Sequence, residues 1–135
     1  MPQIKKKPIL VIEDDLDIRE SLEQILISEG YQVVCAEDGK QGLLKLKEMT
    51  EEPCLILLDL FMPEMGGGAF LKELKKDPAQ SIAKIPVLVL SAVPAEADIV
   101  ESLGPLADGF IKKPIDLEEL LEGIREHCCE KETAA

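Results

Sequence analysis

The chain predicts an α/β fold, five repeated βα units wound around a parallel sheet with helices on both faces. Three observations carry this. Short apolar runs alternate with amphipathic stretches along all 135 residues, the pattern of repeated strand–helix units. Most of these runs are apolar throughout rather than alternating apolar with polar, as strands covered on both faces must be. Four of them end on polar or charged residues, so parallel neighbours would collect those residues at one edge, where open α/β sheets bind ligands.

The expected strands are Ile9–Ile12, Gln32–Ala36, Cys54–Leu58, Pro86–Leu90 and Gly109–Ile111. The first helix follows from Ile18, Leu22, Ile25 and Leu26, at the i, i+4, i+7, i+8 spacing of a buried stripe, and Gly30 ends it. Asp38 caps a second helix carrying Leu43, Leu44 and Leu46, and Phe70, Leu71 and Leu74 form the apolar side of a third that stops near Pro78. The fourth, around Ala95 to Leu103, is preceded by Pro94 and interrupted by Gly104-Pro105, so a short, mobile element is expected there. Asp116 and Glu119 make a capping-box-like start to the last helix, which bears Leu117, Leu120, Leu121 and Ile124 on one face. These elements make one domain over residues 8–129, between an N-terminal tail at 1–7 and a frayed C-terminal tail at 130–135.

Composition narrows the function classes. With 27 acids against 15 bases the net charge is −12, which repels a phosphate backbone and argues against direct nucleic-acid binding. Lys5-Lys6-Lys7 is too short to reverse that. No apolar run approaches the roughly 20 residues that span a bilayer. The basic cluster leads only into Ile9–Ile12 before Glu13, so no signal peptide is visible and a cytoplasmic location without membrane contact is expected. Of the four cysteines, Cys35 and Cys54 lie in strand-like runs and read as buried, reduced thiols. Cys128-Cys129 beside His127 has no second Cys or His pair at zinc-site spacing. A disulfide framework is not expected in a chain without an export signal.

The residues at the strand ends carry the chemistry. Asp59 closes the run that begins at Cys54, Glu13-Asp14 follow the first strand, Ser91 the fourth and Lys112-Lys113-Pro114 the fifth. Three acids, a hydroxyl and an amine in one crevice suit a divalent cation and a phosphoryl group, because hard oxygen ligands hold Mg²⁺ while lysine neutralises phosphate oxygens. Singly, each has a plainer reading: the acid as a helix cap, the serine as solvated, Lys-Pro as a turn, Phe110 as core. Their convergence on one edge favours a site.

In this order and at strand ends, Ile9-Leu10-Val11-Ile12-Glu13-Asp14, Leu57-Leu58-Asp59-Leu60-Phe61-Met62-Pro63, Ser91-Ala92 and Phe110-Ile111-Lys112-Lys113-Pro114 resemble the receiver domains of two-component response regulators. The resemblance spans nearly the whole chain. It implies the flavodoxin-like doubly wound (βα)5 fold, with a five-stranded parallel sheet of order 2-1-3-4-5. It implies that Asp59 is the phosphoacceptor, taking a phosphoryl group from the phosphohistidine of a sensor histidine kinase or a histidine phosphotransfer protein. Asp14 and Asp59 would ligate Mg²⁺ directly together with the backbone carbonyl of Phe61, and Glu13 would act through a water.

In the run Glu13-Asp14-Asp15 the first two are the expected acidic pair, since they directly follow the apolar run and the family pattern that the chain resembles has an arginine-like position five residues after the second acid, which Arg19 fills. Asp15 then starts the first helix. Lys113 would neutralise phosphoryl oxygens, aimed by a cis peptide bond at Pro114. Lys112 is the competitor, but neighbouring residues of a strand point to opposite sides. Ser91 and Phe110 would be the switch residues, and their joint movement would reshape the face of the fourth helix, fifth strand and fifth helix for a downstream protein. The implied role is phosphorylation-controlled signalling without turnover of an independent substrate, by a monomer or a phosphorylation-dependent dimer. Both a single-domain regulator and the receiver part of a longer regulator with an output domain fit.

The chain departs from the family pattern in two places. Gly66-Gly67 stands where Asp-Gly is frequent, which removes a helix cap, and with Gly68 following, a loose loop is expected. Phe61 and Val93, two residues beyond Asp59 and Ser91, are apolar where polar side chains could orient a hydrolytic water, so a long-lived phosphoaspartate is expected. Two rivals are weaker. An Asp-nucleophile phosphatase of the haloacid-dehalogenase class wants a second acid where Phe61 stands. A flavodoxin-like redox carrier needs aromatics against its flavin, yet Trp is absent and aromatic content is 3%.

Overall fold

Parallel pairing of five short strands builds the sheet of this computed structural model, which describes residues 7–60, 66–77, 79–92 and 105–128. The strands are β1 (Ile9–Ile12), β2 (Val33–Ala36), β3 (Leu55–Asp59), β4 (Val87–Ser91) and β5 (Gly109–Lys112). Their order is β2-β1-β3-β4-β5 and every neighbouring pair is parallel. The described helices are α1 (Leu16–Ser28), α2 (Gly39–Glu48), α3 (Gly67–Leu74) and the C-terminal helix (Leu117–His127), with a 3₁₀ turn at Ser81–Lys84. This is the doubly wound, flavodoxin-like α/β fold and the 2-1-3-4-5 order that the sequence predicts.

Side-chain alternation divides the strands between two cores. Leu10, Ile12, Ile56, Leu58, Val87 and Val89 pack with Leu46 of α2 and with Phe70, Leu71 and Leu74 of α3. Ile9, Val11, Leu55, Leu57, Leu88, Leu90 and Ile111 pack with Leu22 and Leu26 of α1 and with Leu120 and Ile124 of the C-terminal helix. Burial of each such side chain contributes roughly 1.5–3 kcal/mol, so both helical layers are needed to hold the sheet.

The helix starts follow from their side chains. Asp15 accepts from the Ile18 amide at 3.1 Å, Asp38 from Gln41 at 2.8 Å and Asp116 from Glu119 at 3.0 Å, each satisfying an amide that the first helical turn leaves unpaired. Helix α1 ends where Gly30 turns to φ 95°, a conformation that glycine adopts without a Cβ clash.

Several expectations are corrected. Strands β3, β4 and β5 each run one residue further than predicted, so Asp59, Ser91 and Lys112 are terminal strand residues. Leu44 and Leu117 are 43% and 48% exposed, because the helical stripe that meets the sheet is narrower than the apolar pattern. Helix α3 ends at Leu74, short of Pro78. Gly67 and Gly68 form its first turn rather than a free loop, although no side chain caps it. Cys54 precedes β3 and is disulfide-bonded to Cys128, against the expectation of reduced thiols, because the C-terminal helix delivers Cys128 to the amino end of β3. The expected helix near Ala95–Leu103, Cys129, the tail from residue 130 and most of the basic N-terminal cluster lie outside the described residues.

Glycine is required at position 67 by close backbone approach. A Cβ there would lie 2.7 Å from the Asp59 carbonyl oxygen and 2.9 Å from the Leu60 Cα, and backbone cannot swing aside as a side-chain tip can. Gly67→Ala should therefore destabilise the fold by about 1–3 kcal/mol in urea unfolding. Gly66→Ala, whose added methyl meets only the Leu60 carbonyl at 3.6 Å, should cost less, and equal costs would contradict the packing argument.

Candidate functional site

Period-two alternation brings three charged groups from three strands to one side of the sheet edge. Ile9 and Val11, Leu55 and Leu57, and Ile111 all point into the core beneath α1 and the C-terminal helix. Counting on by twos from each strand reaches Glu13, Asp59 and Lys113. Ile12 pairs with Leu58, so one step further Glu13 stands beside Asp59. Lys112 falls on the other parity and is exposed.

The Lys113 Nζ donates to Glu13 Oε1 at 3.0 Å and to Asp59 Oδ1 at 3.1 Å. The Glu13 and Asp59 side chains are only 1% and 8% exposed, so their charges are poorly hydrated and depend on this partner. Burial pushes Glu13 up to about 7, with the nearby Asp59 charge adding to the rise and Lys113 opposing it. Asp59 is also raised, chiefly by burial, against the pull of Lys113. For Lys113 burial acts downward, but its bonds to Glu13 and Asp59 outweigh that and hold the ammonium above its ordinary range.

Asp14 is exposed and completes an acidic cluster in which one carboxylate oxygen each from Glu13, Asp14 and Asp59 lies within 4.8 Å of the others. Three hard oxygen donors this close, two of them shielded from water, fit a small divalent cation such as Mg²⁺. Asp15 is occupied in capping α1, and its amide donates to Glu13 Oε2 at 3.3 Å.

The backbone around the cluster is anchored at each strand end. Glu13 N donates to Ala36 O at 3.1 Å, Leu60 N to Leu90 O at 3.2 Å and Lys113 N to Ser91 O at 2.8 Å. Ser91 is buried at the end of β4. Phe110 is half-buried and packs against the core under α2 and α3. The Lys113–Pro114 peptide bond is cis. Phe61 and Val93 lie outside the described residues.

Two positioning contacts have no local signal in the sequence. Arg19 Nη1 donates to the Glu13 carbonyl at 2.8 Å and to that of Asp14 at 3.5 Å, tying α1 to the acidic loop; the family resemblance marks the residue without naming its partner. The Asp108 carboxylate accepts from the Val87 amide at 2.8 Å, which aligns the start of β4 across 21 residues of sequence.

Comparison with known proteins agrees with this geometry. The family model of the response regulator receiver domain matches residues 9–125. The probable transcriptional regulator ycf27 of Cyanophora paradoxa is 37% identical over 123 residues, covering 91% of this chain and 48% of that protein. The chain thus spans about half the length of the first relatives it matches. Chemotaxis protein CheY of Bacillus subtilis is 34% identical over 117 residues, 86% of this chain and 92% of CheY. The signal receiver domain of a histidine kinase from Syntrophus aciditrophicus, 32% identical, superposes with a TM-score of 0.80 over 96% of this chain and 97% of its own. With the matched motifs, the 2-1-3-4-5 sheet and the acidic cluster at its edge all in agreement, the chain belongs to the response regulator receiver domain family.

Proposed function

We propose that the chain is the phosphoacceptor module of a two-component phosphorelay, with Asp59 as the nucleophile. The observation that carries this is the pairing of a buried Asp59 with Lys113 at 3.1 Å inside a three-carboxylate cluster. A carboxylate oxygen of Asp59 attacks the phosphorus of a phosphohistidine on a sensor histidine kinase or a histidine phosphotransfer protein. The new O–P bond forms as the N–P bond breaks, and its electrons remain on the imidazole nitrogen. Lys113 shifts its hydrogen bonds from the free carboxylates to the incoming phosphoryl oxygens, so the site's charge stays balanced as the group arrives.

The donor set fits Mg²⁺, which Asp14, Asp59 and the Phe61 backbone carbonyl would hold directly and Glu13 through a water. When bound it supplies the positive charge that offsets the carboxylates and draws phosphoryl oxygens. Ser91 then donates its hydroxyl to the modified Asp59, and Phe110 moves with it. The readout is a changed affinity for a downstream protein at the face of the expected fourth helix, β5 and the C-terminal helix, limited by how differently phosphorylation interacts with the two states. No independent substrate is turned over. Among the described residues no helix is long and apolar enough to cross a membrane, and the proposed setting is cytoplasmic. Because the first matched relatives are about twice this length, a second reading places the chain as the receiver part of a longer regulator whose output domain is the partner.

Incubation with Mg²⁺ and acetyl phosphate should add the mass of one phosphoryl group to the intact protein, and Asp59→Asn should abolish the gain. A folded, Mg²⁺-binding wild type that gains nothing would sink the reading. Phe61→Asn should shorten the lifetime of the adduct, and an unchanged decay would remove the proposed role of that apolar position.

In the metal-free protein the raised Glu13 has a definite linkage sign. Between its ordinary 4.5 and about 7 the folded state binds more protons than the unfolded, so Glu13's contribution to stability is lost as pH rises through that window. Glu13→Gln should therefore gain stability relative to wild type in urea unfolding from the lower to the upper end of that window. A gap between the two proteins that stays constant with pH would contradict the assignment.

A further inference from the structure

Cys54 and Cys128 are 74 residues apart in sequence, yet their Cα atoms lie 5.1 Å apart and their sulfurs are bonded. That separation falls inside the roughly 4.4–6.8 Å over which two backbones carry a disulfide. Packing holds each partner in place independently of the bond. Cys54, one residue before β3, donates its amide to the Pro8 carbonyl at 2.9 Å. Cys128 caps the C-terminal helix through a 2.7 Å bond to the Ile124 carbonyl and is 3% exposed in the core with Leu120 and Ile124.

We propose that Cys54 and Cys128 form a redox modification site, a reversible staple that fastens the end of the C-terminal helix to the amino end of β3. The strand carries Asp59 at its opposite end, but the inference rests on packing and not on phosphorylation. The oxidant is a small-molecule disulfide of the glutathione class. The half-buried Cys54 attacks one donor sulfur as its thiolate, expelling one small thiolate and leaving a mixed disulfide. Cys128, as its thiolate, then displaces the second. Two protein thiols lose two protons and two electrons, the donor becomes two thiols, and excess small thiol reverses the exchange. Cys35, the free cysteine among the described residues, is a poor competitor because burial and the Glu23 charge push its thiol up to about 11, leaving little thiolate.

The test uses the full chain, reduced with dithiothreitol, exposed to oxidised glutathione, alkylated and digested without reduction. A cross-linked peptide pair containing Cys54 and Cys128 should appear on oxidation and vanish on reduction, with Cys35 alkylated in both states. Closing a loop of this length should raise the wild-type Tm on the order of 10 °C over the reduced protein, and Cys54→Ala should abolish that difference. Alkylation of both cysteines after oxidation, a cross-link through Cys129 instead, or equal Tm values for oxidised and reduced wild type would each overturn the proposal. The wild-type comparison stands even if Cys54→Ala fails to fold.

Discussion

Glu13 directly follows β1 and Asp59 ends the neighbouring β3 on the same face, so the sheet brings their carboxylates together whether or not a cation joins them. The Lys113 ammonium, 3.0 and 3.1 Å from them, makes that approach tolerable. Removing water from two like charges is costly, and a buried charge left without its partner is strongly destabilising. The lysine must therefore arrive from a third strand at the right height. β5 supplies it through its pairing with β4, which joins Leu90 to Ile111 and Ser91 to Lys112 and continues in the bond from Lys113 N to Ser91 O.

The rest of the molecule keeps those strand ends in register. The apolar interiors of β1, β3 and β4 are fully or almost fully buried, and close-packed cores resist the small shifts that would separate the charged groups. Polar contacts finish the work where the apolar residues stop. Arg19 holds the carbonyls of Glu13 and Asp14, Asp108 aligns β4, and Gly67 lets the start of α3 lie directly against the backbone of Asp59 and Leu60. At the opposite end of the sheet, the Cys54–Cys128 bond joins the C-terminal helix to the strand that carries Asp59.

This arrangement places an electrostatic cost where the phosphoryl transfer is proposed. Two buried carboxylates with raised proton affinity would be better replaced by apolar residues if stability alone mattered. Proteins tolerate such local violations at functional sites and offset them elsewhere. Here the offset comes from the two apolar layers that cover the sheet. The site relieves its own cost by gathering positive charge, from Lys113 in the metal-free protein and from a divalent cation where one binds.

Much of the fold was legible in the sequence because its signals are local. Apolar runs, the caps Asp15, Asp38 and Asp116, and the turn glycine Gly30 each act within a few residues of where they are read. The acidic edge was legible for a related reason, since residues that close parallel strands must meet once the strand order is known. Whatever depended on long-range packing was not legible. Leu44 and Leu117 share the apolar pattern of their helices but miss the sheet, because the width of a buried stripe is set by the surface it meets. Arg19's carbonyl partner and the bond from Asp108 to Val87 have no sequence signal. The strand-like runs around Cys35 and Cys54 read as holding reduced thiols, whereas the C-terminal helix carries Cys128 to within 5.1 Å of Cys54. The sequence by itself determined which residues form strands, helices and a charged edge, because those choices follow from periodicity and local hydrogen bonding. Only the tertiary structure decided which distant side chains touch, because that depends on how helices settle on a twisted sheet.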